Sequence, residues 1–209
     1  MTRQRLLVYG AALVALALGA WLGATLAGRT EPVPTINGTV FPNARALPDF
    51  RLVDHEGNPF SPEQLKGRWT LLYFGYTYCP DVCPTTLYEL SRADALLEGE
   101  GAARGIAYAL VSVDPDRDTP ERLAQYVPHF SDKLLGVSGP TQALTALTQP
   151  LGIVYLKVEG ADPDNYLVDH SSAVIVINPE GKFQAIMSAP HEAEDMAADM
   201  LALKAYYGR

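Results

Sequence analysis

Two cysteines stand between a predicted strand and a predicted helix, which leaves few folds open to this chain. Trp69–Gly75 is a run of apolar and aromatic residues typical of a buried β-strand. Cys79 and Cys83, the two cysteines of the chain, follow this run four positions apart. Pro84 comes next, and proline favours the first position of a helix because it fixes φ and lacks an amide donor. The sequence therefore predicts a strand, a cysteine-bearing turn and a helix in succession.

The predicted turn makes both sulfurs chemically available. Because Pro84 disfavours the helical conformation at the residue before it, we expect Cys83 to cap a helix over 84–97 and Cys79 to lie in the preceding loop. A sulfur at a helix N-terminus faces unpaired amides and the positive end of the helix dipole, which favour the thiolate. The proline and aspartate between the cysteines favour a turn that brings the sulfurs within bridging distance. A redox-active disulfide, a soft-metal site and a purely structural bridge are all open at this point.

Strands and helices alternate along the rest of the chain. This alternation predicts parallel strand pairs, and a late hairpin adds an antiparallel edge. The predicted fold class is α/β with a thioredoxin-like fold, a mixed central sheet flanked by helices. The predicted strands are 50–53, 69–75, 106–113, 134–137, 153–157, 173–177 and 182–187. The predicted helical segments are 62–65, 84–97, 118–127, 141–148 and one after 190.

An uncharged apolar stretch near the N-terminus, residues 6–27, is long enough to span a bilayer as a helix. Arg3 and Arg5 precede it, so the positive-inside rule keeps the N-terminus in the cytoplasm and exports the remainder. We expect a single-pass protein of a bacterial inner membrane with its soluble domain in the periplasm; a cleaved signal peptide is the alternative. The predicted segments are 1–28 as an anchor or uncleaved signal, 29–44 as a linker and 45–209 as the soluble domain.

The exported part is acidic and has the size of one domain. Two of the 16 basic residues precede the apolar stretch, so 14 remain against 24 acidic residues, a formal charge of −10. An acidic domain argues against nucleic-acid binding. The sequence also lacks a phosphate-binding glycine loop and the serine elbow of hydrolases. About 165 residues are enough for a single hydrophobic core.

Three blocks of sequence closely resemble the SCO/SenC family. In chain order these blocks are 74–84 with CPDVCP, 113–120 with DPDRDTP, and 168–171 with VDHS. The resemblance covers the domain and the anchor. It implies a thioredoxin-like, membrane-tethered copper protein that helps to assemble the binuclear copper centre of cytochrome c oxidase. It also implies that the metal ligands are Cys79, Cys83 and His170.

The implied ligands suit copper on chemical grounds. Thiolates prefer Cu(I), and an added imidazole lets the same site hold Cu(II), although zinc also accepts this ligand set. One dithiol and one histidine imply one copper per chain. His170 stands where thioredoxin-like folds usually carry a cis-proline facing the cysteines, and Asp169 is either a group that orients it or an exposed loop carboxylate. The remaining histidines, expected at the surface, are His55, His129 and His191.

Three hypotheses for function remain open. The first is a copper metallochaperone, loaded by a copper donor, that delivers the metal to the copper-binding subunit of the oxidase. The second is a thiol–disulfide oxidoreductase that reduces the cysteines of that subunit through Cys79 and Cys83 and is itself restored by a thiol reductant. Only this second hypothesis makes the protein an enzyme. The third is a redox or copper sensor. A requirement for His170 separates the first hypothesis from the second, because disulfide exchange needs no imidazole ligand.

Overall fold

The chain divides into two compact units, Met1–Val33 and Pro34–Arg209. The structure is a computed structural model, and it describes three stretches of the chain: 3–26, 33–158 and 166–208. The end of the predicted anchor and the first part of the predicted linker, residues 27–32, lie outside the described residues.

Among its described residues, the first unit has one helix, α1 (Arg3–Leu26). Its stretch Arg3–Ala24 is long and apolar enough to cross a membrane, and none of the described part of that stretch is buried. A signal sequence near an N-terminus can meet the same criteria of length and composition. A helix therefore lies where the sequence predicts a membrane span, and the choice between anchor and signal stays a prediction.

A central sheet of eight strands organises the described part of the second unit. The ten strands of this unit are β1 (Thr39–Ala46), β2 (Leu52–Asp54), β3 (Pro59–Phe60), β4 (Trp69–Gly75), β5 (Ile106–Ser112), β6 (Leu134–Ser138), β7 (Tyr155–Val158), β8 (Leu167–His170), β9 (Val174–Ile177) and β10 (Lys182–Met187). The order in the central sheet is β1-β10-β9-β4-β5-β6-β2-β3. β4, β5 and β6 are parallel neighbours, whereas β9 pairs with β4 in the antiparallel direction. The predicted mixed sheet is confirmed.

Helices cover this sheet and bury its central strand. The helices are α2 (Val82–Gly99), α3 (Pro120–Tyr126), α4 (Thr141–Leu151) and α5 (Ala193–Tyr207), with a short 3₁₀ turn at Pro62–Leu65. α2 and α5 pack against each other. All seven residues of β4 are buried, as expected of a strand in the middle of a sheet covered on both faces. The cysteine turn therefore lies at the carboxyl end of a fully buried strand.

The linker prediction for residues 29–44 is wrong in its second half. Thr39–Ala46 forms β1, which pairs with β10 and so covers the edge that the sequence predicts for the late hairpin. Pro42 makes this strand hard to predict from sequence, because proline cannot donate a backbone hydrogen bond to the neighbouring strand. The pairing register shifts between Val40 and Arg45, and an irregular edge strand of this kind tolerates proline. The central sheet therefore includes residues that precede the predicted domain start.

Helix α2 begins earlier than predicted. It starts at Val82, directly after Asp81, rather than at Pro84. Pro84 is the third residue of the helix, where its missing amide is still one of the four that have no partner within a helix. Cys83 consequently lies inside the first turn of α2 and not at its cap.

β7 and β8 form a small antiparallel sheet of their own. Tyr155 of β7 pairs with His170, the last residue of β8. The sequence predicts a strand near β7 but places His170 in a loop, and this placement is wrong. A four-residue strand in which Val168 is the buried side chain is too short to show a reliable alternation in sequence.

Gly38→Ala tests whether β1 belongs to the folded domain. A Cβ at Gly38 would overlap the backbone oxygen of Ile186 in β10, so the strands would have to separate. We expect the free energy of unfolding to fall by about 1–3 kcal/mol, measured by urea unfolding of the full chain in detergent. Gly99→Ala is the matched control, because nothing lies within 4 Å of its added Cβ. Equal stability of the two variants would contradict the packing of β1.

Candidate metal centre

Cys83 lies where the end of β4 meets the start of α2. Its side chain is fully buried, whereas Cys79 in the preceding loop is partly exposed. Gly75 ends β4, and a Cβ added there would lie 2.9 Å from the Cys83 sulfur. A larger residue would push the sulfur away, so glycine is what allows this close approach.

The Cys79 sulfur caps helix α2. The backbone N–H of Cys83, one of the unpaired donors of the first turn, donates to Cys79 Sγ at 3.4 Å. The helix N-terminus therefore favours negative charge on Cys79. The predicted contact between a sulfur and the helix start is present, but Cys79 makes it rather than Cys83.

The third group is the imidazole of His170. Its Nε2 lies 3.2 Å from Sγ of Cys83, and its Nδ1 lies 3.1 Å from the carbonyl oxygen of Ser171. Because a carbonyl only accepts hydrogen bonds, Nδ1 carries the proton and donates it to Ser171. The lone pair of the neutral ring is then on Nε2, the atom that faces the cysteines.

These three side chains form a group that can hold one metal ion. The two Sγ atoms and Nε2 of His170 all lie within 4.8 Å of one another. Metal–sulfur bonds of about 2.3 Å allow a single ion to reach atoms separated by such distances. Two sulfurs and one imidazole are donors for soft and borderline ions such as copper and zinc. The three residues that the sequence analysis singles out are therefore brought together.

A statistical model of the SCO1/SenC family matches residues 40–205. The chain belongs to this family. It is 35% identical over 178 residues to a putative copper-binding protein of Stutzerimonas stutzeri, covering 85% of this chain and 86% of that relative.

Two solved structures of SCO1/SenC proteins share the fold. Copper-bound ScoI of Arabidopsis thaliana has a TM-score of 0.70 at 32% identity, covering 77% of this chain and 100% of that one. Apo Sco1 of Thermus thermophilus has a TM-score of 0.72 at 36% identity, covering 83% and 99%. The predicted thioredoxin-like fold and the predicted family are thereby confirmed.

The two thiols of this SCO1/SenC protein differ in acidity. A hydrogen bond from the Cys83 thiol lowers the pKa of Cys79, and the backbone N–H groups of Asp81 and Cys83 add to this effect. The same bond between the sulfurs, together with burial, raises the pKa of Cys83. At neutral pH the exposed sulfur is therefore a thiolate, while the buried sulfur keeps its proton until a metal or an oxidant removes it.

Two buried tyrosines line the imidazole. The rings of Tyr73 and Tyr76 contact the His170 ring edge-on, with centroids 6.1 and 5.8 Å away. The hydroxyl of Tyr76 also accepts the backbone N–H of Val168 at 3.1 Å, which ties β8 to the loop before the cysteines. The sequence analysis missed both tyrosines. Their position in β4 and directly after it is the signal that could have indicated them.

Asp118 braces the loop in front of Cys79. The backbone N–H and the hydroxyl of Thr77 donate to its carboxylate at 2.9 and 2.6 Å, and the Ser112 hydroxyl donates at 2.6 Å. Burial raises the pKa of this carboxyl. Three donors to one buried acceptor hold the loop in a single position. The second family block, 113–120, therefore supports the metal centre indirectly, through the loop that carries Cys79. The sequence alone does not show this role.

Asp169 does not orient His170. It is exposed, and it points to the opposite face of β8 because successive residues of a strand alternate. The carbonyl of Ser171 holds Nδ1 instead. Of the two expectations for Asp169, the structure supports the exposed carboxylate. The other histidines bond to backbone groups elsewhere, and these are His55, His129 and His191.

The difference in acidity predicts selective alkylation. Iodoacetamide should label Cys79 of the reduced protein first, with a pH midpoint well below the ordinary thiol pKa of about 8.5. Cys83 should remain unlabelled until the protein is unfolded, because its sulfur is buried and protonated. Peptide mass spectrometry across a pH series measures both rates, and Cys79→Ser should lack the fast phase. Equal labelling of the two cysteines would contradict the assignment.

Proposed function

We propose that this protein binds one copper ion through Cys79, Cys83 and His170 and delivers it to the binuclear copper site of cytochrome c oxidase. The observation that carries this proposal is the convergence of two sulfurs and Nε2 of His170 within 4.8 Å. The named relative from Stutzerimonas stutzeri and the copper-bound structure from Arabidopsis thaliana support copper as the metal. Delivery to the oxidase rests on the resemblance to the SCO/SenC family.

The donor set suits a carrier that must release its metal. Two thiolates hold Cu(I), and the imidazole lets the same group accept Cu(II). Three protein ligands leave a coordination position open, unlike a closed structural site with four ligands. A ligand of the partner can enter at this position while the ligands of this chain let go. Cys79 is partly exposed, so it is the ligand that a partner reaches first.

Loading the site moves a proton. Cys83 is protonated in the free protein, since its pKa is raised by the bond to Cys79 and by burial. A metal ligand must be deprotonated, so copper displaces the Cys83 proton. A neutral His170 ring that donates Nδ1–H to the Ser171 carbonyl has its lone pair on Nε2, so it needs no such step.

The proposed location follows from the N-terminal segment. We propose that 1–28 is a membrane anchor or uncleaved signal and that the soluble domain lies in the periplasm of a bacterium. Arg3 and Arg5 before α1 support this orientation. The copper donor and the copper-binding subunit of the oxidase would then meet the site on the same side of the membrane.

Reduction of the oxidase cysteines is a second candidate, favoured by the low pKa of Cys79. The Cys79 thiolate would attack a disulfide of the oxidase subunit, form a mixed disulfide and release one thiolate. Cys83, losing its proton, would then attack Cys79 and release the second thiolate. The subunit gains two electrons, this chain ends as the Cys79–Cys83 disulfide, and a separate thiol reductant must restore it.

Cys79→Ser and Cys83→Ser should each abolish tight copper binding, because one thiolate and one imidazole make a poor chelate. The full-length protein in detergent is loaded, dialysed against a chelator and measured by elemental analysis. The unaltered protein should retain one copper per chain. Undiminished copper in either variant would overturn the ligand assignment.

His170→Ala separates delivery from reduction. The variant should lose the visible sulfur-to-Cu(II) absorption and keep some Cu(I) on its two thiolates, since Cu(II) depends more on nitrogen donors. It should still form the Cys79–Cys83 disulfide at a near-normal rate. His129→Ala is the matched control, because this exposed histidine bonds to a backbone carbonyl outside the site.

The same variant gives a decisive result in cells. If copper delivery is the essential act, a His170→Ala strain should lose oxidase activity at limiting copper, while the His129→Ala strain keeps it. Normal oxidase activity in the His170→Ala strain would refute delivery and favour the reductase.

A further inference from the structure

The central sheet fixes the distance between His170 and the cysteines only in part. The cysteines follow β4, whereas His170 ends β8 in the separate β7–β8 sheet. At its C-terminal end β8 joins β9 through the short segment 171–173, and β9 pairs with β4. The start of β8 pairs with β7, and Tyr166 directly before it is anchored to the rest of the domain by side-chain contacts.

Tyr166 is held by a buried ion pair. Its hydroxyl donates to Oδ1 of Asp114 at 2.6 Å, and Nε of Arg117 donates to Oδ2 of the same carboxylate at 2.5 Å. The guanidinium carbon of Arg117 lies 3.5 Å from the centroid of the Tyr166 ring, a cation–π contact. The side chains of Arg117 and Asp114 are only 14% and 4% exposed, so water weakens this cluster little.

The same guanidinium also reaches the cysteine loop. It lies 4.6 Å from the ring centroid of Tyr78, the residue before Cys79, and 5.8 Å from that of Tyr76. Tyr76 in turn accepts the backbone N–H of Val168 in β8. Arg117 therefore bridges the loop that carries one ligand and the strand that carries another.

We propose that Asp114, Arg117 and Tyr166, here called the arginine clamp, position His170 for copper. This inference deepens the proposed function and rests on His170 being a ligand. The contacts of the clamp involve neither the sulfurs nor the imidazole. The clamp acts by holding the start of β8, so that Nε2 of His170 stays 3.2 Å from Sγ of Cys83.

Arg117→Gln removes the cation of the clamp and leaves every proposed ligand in place. Cu(II) affinity of the full chain in detergent should fall by about 10- to 100-fold, as expected when a partner that orients a ligand is lost. The nitrogen coupling in the electron paramagnetic resonance spectrum should weaken, while Cu(I) binding by the two thiolates persists. Tyr166→Phe keeps the stacked ring but loses the bond to Asp114, so it should show the same changes to a smaller degree.

A readout without metal tests the clamp directly. Hydrogen exchange of the copper-free protein should accelerate in β8 of Arg117→Gln and remain unchanged in β4. Arg92→Gln is the matched control, because it removes an arginine paired with Glu89 and Glu194 at the surface. This control should leave both β8 exchange and the Cu(II) spectrum unaltered.

A double-variant comparison decides whether the clamp acts through His170. In a His170→Ala background, Arg117→Gln should hardly change Cu(II) affinity, because the group that the clamp positions is already absent. An equal loss in both backgrounds, or unchanged β8 exchange in Arg117→Gln and Tyr166→Phe, would overturn the proposal. If the unaltered protein binds no copper, the proposed function fails, and β8 exchange alone then decides whether the clamp holds the strand.

Discussion

The contact between the Cys83 sulfur and the end of β4 is the one on which the metal centre depends. Gly75 leaves room for the sulfur, because a Cβ at this position would lie 2.9 Å from Sγ of Cys83. Once Cys83 is buried in the first turn, its own N–H faces Cys79 and caps the helix with a sulfur. The hydrogen bond from the Cys83 thiol to Cys79 raises the pKa of Cys83, with burial adding to the effect, and lowers the pKa of Cys79. The two sulfurs therefore differ in their chemistry.

The imidazole joins these sulfurs from a different structural unit. β4 and α2 belong to the buried core, so the two cysteines are held rigidly. His170 lies on a small sheet that tyrosine contacts and the arginine clamp hold against the cysteine loop. This arrangement suits a site that must bind a metal firmly and still pass it on.

Sequence patterns predicted the strands with long apolar runs. They missed the elements whose pattern of buried residues is short or interrupted. β4 and β10 have the predicted bounds, because long apolar runs leave little doubt about a buried strand. β1 escaped prediction because Pro42 and an irregular register disguise an edge strand. The start of α2 was misplaced because a proline is tolerated throughout the first turn and not only at the first position. β8 has only four residues, too few for an alternation of apolar and polar residues to be recognised in the sequence.

By itself, the sequence determined the fold class, the family and the three side chains of the candidate metal centre. Spacing, apolar runs and the three family blocks are local patterns, and local patterns are sufficient for those conclusions. Only the tertiary structure decided that Cys79 caps the helix, that Nε2 of His170 faces Cys83, and that Arg117 links the loop to β8. Each of these depends on distances of a few ångströms between side chains, several of them far apart in the chain. Such distances are set by packing, and no run of neighbouring residues encodes them.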